Sequence, residues 1–148
     1  MNINELNLIL KDVALNKVES ESFYIGDKWD NSTGKGDLYP AIWVETPYLI
    51  DYQLSGNYTK KITFAIDVLM FPKLDDVEDE VNMISHAEEM GDEFLFYLRK
   101  YKELSIASAT ALSVKSFNAD QAAGVRIDIV INVGRVCPVD IKPQQIEC

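Results

Sequence analysis

KITFAIDVLMF, at residues 61–71, is the stretch that decides the fold. Its apolar side chains recur at every second position, and this alternation is typical of a strand with one face in a core. One face carries Ile62, Phe64, Ile66, Val68 and Met70, and the other carries Lys61, Thr63, Ala65 and Asp67. Proline cannot donate a hydrogen bond to a sheet, so Pro72 ends the segment. The sequence therefore predicts a β-strand over Lys61–Phe71.

The segment after this strand predicts a long helix from Asp75 to about Tyr101. Asp75, followed three positions later by Glu78, has the pattern of a capping box. Apolar residues at helical spacing predict the face that packs on a sheet. These residues are Val77, Val81, Ile84, Gly91, Leu95 and Leu98. Three cations suit the negative end of the helix dipole: Arg99, Lys100 and Lys102.

The residues before position 61 predict a helix, a long loop and a second strand. Residues 3–17 place Ile3, Leu6, Leu10 and Val13 on one stripe of an amphipathic helix. Residues 23–39 contain three glycines and a polar cluster, which are turn formers, and we expect a loop there. Tyr39–Glu45 predicts a short strand with Pro40 near its start, and a polar turn follows at residues 55–57.

Two further strands are predicted after the long helix. Ile106–Phe117 is rich in alanine and serine, and apolar residues alternate over Val125–Val133. Residues 118–124 then form a hairpin loop. Residues 137–148 contain Pro138 and Pro143, which favour an extended arm.

This order of elements, α-β-β-α-β-β, predicts an α+β fold. An antiparallel sheet of about four strands, packed by the long helix and the N-terminal helix, is the economical arrangement. A chain of 148 residues fits one domain, which we place at residues 1–136, with residues 137–148 as the arm.

Composition and charge argue against several classes of function. The formal net charge is −10, whereas binding to phosphates or to an anionic membrane requires lysine and arginine. No apolar run approaches the ~20 residues of a membrane span, and the N-terminus lacks the pattern of a signal peptide. We therefore expect a protein made and folded in the cytoplasm, in which Cys137 and Cys148 are free thiols.

A search for catalytic motifs favours a protein that is not an enzyme. The single histidine, His86, shares a helical stripe with Glu89 and Glu93. A solvated helix face explains that stripe better than a metal site does, because transition metals usually need more His or Cys ligands. Gly34-Lys35-Gly36 lacks the flanking residues of a phosphate loop, and no nucleophile motif is present. We expect no cofactor, although a carboxylate pair stays open.

The acidic residues are concentrated on the predicted long helix. Residues 75–93 contain nine Asp or Glu and no Lys or Arg, so they carry −9 of the net −10 and leave −1 for the remainder. Two interpretations stay open, a solubilising face and a wall that repels a polyanion or attracts a basic partner. Four acids are the candidates for a channel-facing or partner-docking role: Asp75, Asp79, Glu89 and Glu93.

The same helix becomes apolar on every side at residues 94–98. Phe96 and Tyr97 fall on the otherwise polar side, so another segment or another subunit must cover them. Exposed aromatic residues are typical anchors of protein interfaces. We therefore predict that Phe96 and Tyr97 are buried against something other than their own sheet.

The order and content of these elements resemble the tail-terminator and neck-ring proteins of tailed bacteriophages, the head–tail connectors that include the minor tail protein U type. The resemblance covers residues 1–136. It is carried by the N-terminal helix, the Gly-rich loop, the strands Tyr39–Val44 and Lys61–Phe71, the acidic helix, the Ser/Ala-rich strand and the closing strand Val125–Val133. These are patterns of elements, and the family has no catalytic motif to transfer.

The resemblance implies a virion structural protein, assembled in the host cytoplasm. Copies would form a six- or twelvefold ring that joins head to tail, touches portal, neck or tail proteins, and lets DNA pass without specific binding. An acidic wall suits such a channel because it does not hold phosphates. Long loops and an arm suit neighbours that clasp one another. Our interface candidates are therefore Phe96, Tyr97, Trp29, Lys35, Pro138 and Ile141.

Two other functions stay open at this point. An accessory or immunity-type protein would bind a basic protein partner through the acidic helix, as a monomer or simple dimer. A small enzyme would use carboxylates or a bound metal, and would show a concave pocket with a strongly perturbed acid.

Overall fold

A computed structural model describes residues 1–27, 39–55, 59–72, 76–115 and 122–135. Helix α1 continues into a π-helical turn at Val13–Lys17, and a second helix and five strands follow. The elements are α1 Ile3–Asp12, β1 Ser22–Gly26, β2 Ala41–Gln53, β3 Thr59–Met70, α2 Val77–Leu98, β4 Ser105–Val114 and β5 Ala123–Arg135. The α+β class is confirmed. None of the described helices is long and apolar enough to cross a membrane.

The five strands form one mixed sheet in the order β1-β2-β3-β5-β4. Strand β1 runs parallel to β2, and the other neighbours are antiparallel. The prediction of about four antiparallel strands was therefore wrong in number and in direction. It missed β1, of which all residues but Ser22 lie within the segment 23–39 that we expected to form a loop. The signal was Phe23-Tyr24-Ile25, three residues of high strand propensity, but the strand is only five residues long.

The core lies between one face of the sheet and both helices. Alternate residues of β3 and β5 meet in register on this face, for example Ile66 opposite Ile127 and Phe64 opposite Ile129. Leu6 and Leu10 of α1 and Phe94 of α2 belong to the same apolar cluster and are fully buried. The face predicted for residues 61–71 is therefore confirmed as the core face of the central strand.

The second face of β3 is also buried over part of its length. Ala65, Asp67 and Leu69 are each at most 4% exposed. Gly124 permits the close approach of β5 here, because a Cβ at that position would lie 1.8 Å from the carbonyl oxygen of Val68. The backbone groups of such a buried strand must be paired along both edges, and β3 is hydrogen-bonded to β2 along one edge and to β5 along the other.

Helix α1 begins and ends differently from the prediction. Its N-cap is Asn2, whose Oδ1 accepts from the Glu5 backbone N–H at 2.9 Å, and the Glu5 side chain accepts from the Asn2 N–H. The predicted core residues Leu6, Leu10 and Val13 are buried. The α-helix ends at Asp12 and not at residue 17, because a π-helical turn follows.

Helix α2 also departs from its predicted pattern. Its N-cap is Asp76, which accepts from the Asp79 N–H at 3.0 Å, and not Asp75. Val77 and Val81 are exposed and not in the core, because the fully buried residues of α2 begin only at Ala87. Those residues are Ala87, Gly91, Phe94 and Leu98. The helix ends at Leu98 and not near residue 101.

The strands are longer or shorter than the sequence pattern suggested. Strand β2 continues to Gln53, well beyond the predicted end at Glu45, because it passes a bulge between Glu45 and Leu49 and then pairs again with β3. Pro47 lies in that bulge, where its missing N–H is tolerated. Strand β4 ends at Val114 and not at Phe117. The predicted antiparallel pairing of β4 with β5 is confirmed.

Candidate interaction surfaces

Strand β4 is an edge strand that is exposed on both faces. Of its ten residues, SIASATALSV, only Ile106 and Val114 are partly buried. Its small residues pair in register with large ones of β5, such as Ala109 opposite Ile129 and Ala111 opposite Ile127. No strand in the described parts of the chain pairs with its outer side. The strand contains neither a charged residue nor a proline, the usual means of protecting an edge.

The C-terminal end of α2 carries the two predicted aromatic interface residues. Phe96 is 54% exposed, and Lys100 Nζ lies 4.4 Å from the centre of its ring. Tyr97 meets Phe96 edge-on at 5.4 Å and is partly buried against the core. The two aromatic residues therefore differ within the chain: the core covers part of Tyr97, whereas Phe96 contacts Lys100 and Tyr97 and leaves more than half of its surface exposed.

Asp12 connects the end of α1 to the residues just after α2. The Tyr101 hydroxyl donates a hydrogen bond to Asp12 Oδ2, and Asn16 Nδ2 donates to Asp12 Oδ1 at 2.8 Å. The hydrogen bonds from Asn16 and Tyr101, with the nearby charge of Lys17, lower the pKa of Asp12. Burial, followed by the hydrogen bond to Asp12, raises the pKa of Tyr101 to about 12.

A groove of about 770 Å³ lies between α2 and the neighbouring ends of β2 and β3. We call it the α2 groove. Its strand side is formed by Tyr39, Pro40, Met70 and Phe71, and its helix side by Met83, His86, Glu89, Met90 and Glu93. The predicted stripe of His86, Glu89 and Glu93 thus lies along the rim of a cavity that the sequence pattern did not reveal. The strand side consists of residues outside α2, of which Tyr39 and Pro40 are far away in sequence, and helix periodicity cannot locate them.

The other acidic candidates lie elsewhere. Asp79 is partly buried in the first turn of α2, where its backbone N–H donates to the side chain of the cap residue Asp76.

No group of three His, Cys, Asp or Glu in the described residues is arranged to hold a metal ion. Asp75, Trp29, Lys35, Pro138 and Ile141, together with Cys137 and Cys148, lie outside the described residues. Most of the predicted hairpin loop, and all of the predicted arm at residues 137–148, also lie outside the described residues.

A charged cluster that the sequence analysis missed lies on the sheet face opposite the helices. Arg126 Nε donates to Glu45 Oε2 at 2.7 Å, and Arg126 Nη1 donates to Asp128 Oδ1 at 2.8 Å. In register, Asp67 is flanked by Trp43 and Arg126. The hydrogen bond to Glu45 and the charges of Glu45, Asp128 and Asp67 raise the pKa of Arg126. The signal available in the sequence was Asp67 within an otherwise apolar strand.

This cluster has the geometry of a structural ion pair. Glu45 is 9% exposed, so its carboxylate needs a nearby positive charge to offset the loss of hydration, and Asp67 on the same sheet face is fully buried. The Arg126 guanidinium supplies that charge while its side chain stays 34% exposed. The cavity beside it is lined by the three charged residues of this pair network, by Thr46 and Thr63, and by four apolar residues, Pro47, Leu49, Phe64 and Ala65.

Comparison with known proteins adds no relative. No protein-family model matches the chain, and no curated protein sequence matches it. The resemblance to phage tail-terminator and neck-ring proteins therefore stays a hypothesis that rests on the order of elements.

Proposed function

We propose that the protein is a structural subunit that assembles with copies of itself into a closed ring. The ring would belong to the neck or tail of a tailed bacteriophage, where it joins head to tail and surrounds the DNA channel. This assignment to a phage rests on the resemblance described above. The assembly itself is supported by one observation, the exposed and uncharged edge strand β4.

An exposed strand edge presents unpaired backbone N–H and C=O groups to any other strand. Natural proteins that stay monomeric block such edges with lysine, proline or bulges. Strand β4 has no lysine or proline in ten residues, and its register shift between Ile106 and Ser108 leaves Ser108–Val114 as a regular, unblocked run. Addition of a strand from another chain would satisfy these groups and extend the sheet. A protein that conceals this edge within an assembly has no need of the blocking residues.

The sheet has a second edge, which makes a ring geometrically reasonable. Strand β1 lies at the far side of the sheet from β4. A contact between the β4 edge of one copy and the β1 side of the next is heterologous, and such contacts generate rings when the rotation closes. The exposed Phe96 ring offers a further apolar contact. Six- or twelvefold symmetry is the expectation that the resemblance supplies.

The charge distribution is compatible with a channel for DNA. Glu89 and Glu93 are exposed, and the segment 75–93 contains no cation. A lumen that attracted phosphates would retain DNA, whereas an acidic one lets it pass. The neighbours in this arrangement are portal, neck or tail proteins.

The test compares two exposed leucines on the same face of the sheet. Leu112 lies on β4 and is 69% exposed, and Leu49 lies on β2 and is 58% exposed. Leu112→Lys places a charge on the edge strand β4, whereas Leu49→Lys places the same charge on β2, which pairs with β3 at this position and lies three strands away from β4. Sedimentation velocity over a range of concentrations, with negative-stain microscopy, measures assembly.

We expect rings for the wild type and for Leu49→Lys, and a loss of rings for Leu112→Lys with the monomer still folded. Equal assembly by the two variants would show that β4 is not the contact. Class averages of the wild-type particles give the symmetry. Open fibres in place of rings would contradict the closed assembly.

A further inference from the structure

The α2 groove is apolar inside and acidic at its rim. Three of the chain's four methionines line it, Met70, Met83 and Met90. The rings of Tyr39 and Phe71 pack together at 5.5 Å on its strand side, and Phe71 is 47% exposed. Methionine side chains are flexible and polarisable, and they are common on surfaces that accept apolar groups of varied shape.

The charge at the rim selects the kind of molecule that fits. Glu89 and Glu93 are both exposed, and the described residues that line the groove include no lysine or arginine. Phosphates, carboxylates and anionic lipid surfaces are therefore repelled. A lysine or arginine next to an apolar side chain satisfies both parts of the site, because the apolar group enters the groove while the cation meets the rim.

We propose that the α2 groove binds a short segment of another protein in which an apolar anchor is flanked by lysine or arginine. The anchor displaces water from Met83, Met90 and Phe71, and the flanking cations contact Glu89 and Glu93. The inference does not depend on ring assembly, because the groove lies beside α2 and its lining contains no residue of β4. The partner that the acidic residues of α2 attract is therefore a protein segment with an apolar side chain next to lysine or arginine.

Methionine methyl groups provide a direct measurement of binding. With ¹³C-methyl methionine, the protein shows signals from Met70, Met83 and Met90 in the groove and from Met1 outside it. The probe is a synthetic peptide of alternating lysine and leucine. Two matched peptides replace every lysine by glutamate, or every leucine by serine. Titrations are made at about 0.1 M salt, where charges farther apart than ~10 Å are largely screened.

We expect the lysine–leucine peptide to shift the signals of Met83 and Met90 and to leave that of Met1 unchanged. The glutamate–leucine peptide should not bind, and the lysine–serine peptide should bind at least about tenfold more weakly. The proposal is overturned by equal shifts at Met1, or by no shift of Met83 and Met90 with the lysine–leucine peptide.

Charge reversal at matched positions separates the groove from the general charge of the helix. Glu89→Lys with Glu93→Lys reverses two rim charges. Glu88→Lys with Asp92→Lys makes the same change in net charge at exposed positions of α2 outside the groove lining. We expect the rim variant to lose at least about tenfold in affinity and the control to lose much less. Equal losses would mean that only the net charge attracts the peptide, which would contradict a site in the groove.

The same variants distinguish this inference from the ring proposal. Leu112→Lys should leave peptide binding unchanged, and the rim variant should leave the β4 contact intact. A protein that binds the peptide but forms no ring would overturn the ring alone. A protein that forms rings but does not bind the peptide would overturn the groove alone.

Discussion

Strands β3 and β4 belong to the same sheet, yet they occupy opposite environments. From Phe64 to Met70, β3 is buried on both faces and includes a carboxylate, Asp67, with no exposed surface. Strand β4 is open to solvent along both faces and contains no charged residue. Simple hydropathy predicts charged residues in an exposed strand and none in a buried strand. The observed pattern is the opposite, because the buried strand contains an acid and the exposed strand contains no charged residue.

The contrast between the two strands distinguishes residues that stabilise the subunit from residues that are available for contact with a partner. Asp67 of β3 lies opposite Arg126 on the adjacent strand, and its charge is among those that raise the pKa of Arg126, so Asp67 is a structural feature of the fold. Among the described residues, no strand pairs with the outer side of β4, and a charged edge would have favoured the solubility of an isolated subunit. The ring proposal accounts for the uncharged edge by a contact between subunits.

The largest expected effect tests the contrast directly in apolar side chains. Ile66 is fully buried in β3, and its replacement by alanine should lower the free energy of unfolding by about 2–5 kcal/mol. Leu112→Ala in β4 should change it by no more than ~0.5 kcal/mol, because the side chain is exposed. Urea unfolding followed by circular dichroism measures both. A similar cost for the two variants would show that β4 is part of the core.

The second prediction concerns the charged cluster beside β3. Arg126→Met retains the aliphatic part of the side chain and removes the cation near Glu45 and Asp67. The expected loss in unfolding free energy is roughly 1.5–3 kcal/mol, the usual range for hydrogen bonds to charged groups. Asp128→Asn is the control, because Asp128 bonds to the same arginine but has 54% of its side chain exposed. It should cost less than ~1 kcal/mol. If Asp128→Asn lowers the unfolding free energy more than Arg126→Met does, the stabilising contact of the cluster is the exposed one to Asp128 and not the buried one near Asp67.

Sequence reasoning was successful where one local pattern determines the environment. The alternation over residues 61–71 predicted the core face of β3, and the spacing of Leu6, Leu10 and Val13 predicted the buried side of α1. Both features depend on residues that are neighbours in sequence. The α+β class follows from them with little further information.

It was unsuccessful where the environment depends on distant strands. Val77 and Val81 have the right spacing for a core face, yet nothing in periodicity indicates where along α2 contact with the sheet begins. Strand β1 is held by pairing with residues 41–45, a parallel contact that its five residues do not encode. The α2 groove likewise joins Tyr39 to α2 across a large separation in sequence.

The third prediction tests the same contrast within one turn of helix. Phe96→Ser should change the unfolding free energy by no more than ~0.5 kcal/mol, because the ring is 54% exposed. Tyr97→Ser should cost about 1–2 kcal/mol, because part of its ring packs against the core. If Phe96 is an interface residue, Phe96→Ser should also reduce ring formation while the monomer stays folded. An unfolded Phe96→Ser monomer would place this ring in the internal core.

The smallest expected effect concerns Tyr101 and Asp12, which join the ends of the two helices. Tyr101 has its pKa raised from 10.0 to about 12, chiefly by burial and then by its hydrogen bond to Asp12. A group whose pKa is higher in the folded state stabilises the fold fully below the unfolded value. That contribution is lost as the pH rises from about 10 to about 12. Asp12 has the opposite sign: its lowered pKa stabilises the fold above pH 3.8, and the contribution is lost as the pH falls below that value.

These two signs make the contact measurable with two conservative variants. Tyr101→Phe retains the ring and removes the ionisable group, so the decrease in stability between pH 10 and about 12 should become shallower than in the wild type. Asp12→Asn should make the acid-side decrease below pH 3.8 shallower. Tyr52→Phe is the matched control, because it removes the hydroxyl of a tyrosine that is 57% exposed on β2 and lies outside the α1–α2 junction. Urea unfolding at fixed pH intervals measures each slope. If Tyr101→Phe has the wild-type slope, the hydroxyl is solvated in the folded protein, and the α1–α2 junction is held by apolar packing, as β3 is held in the sheet.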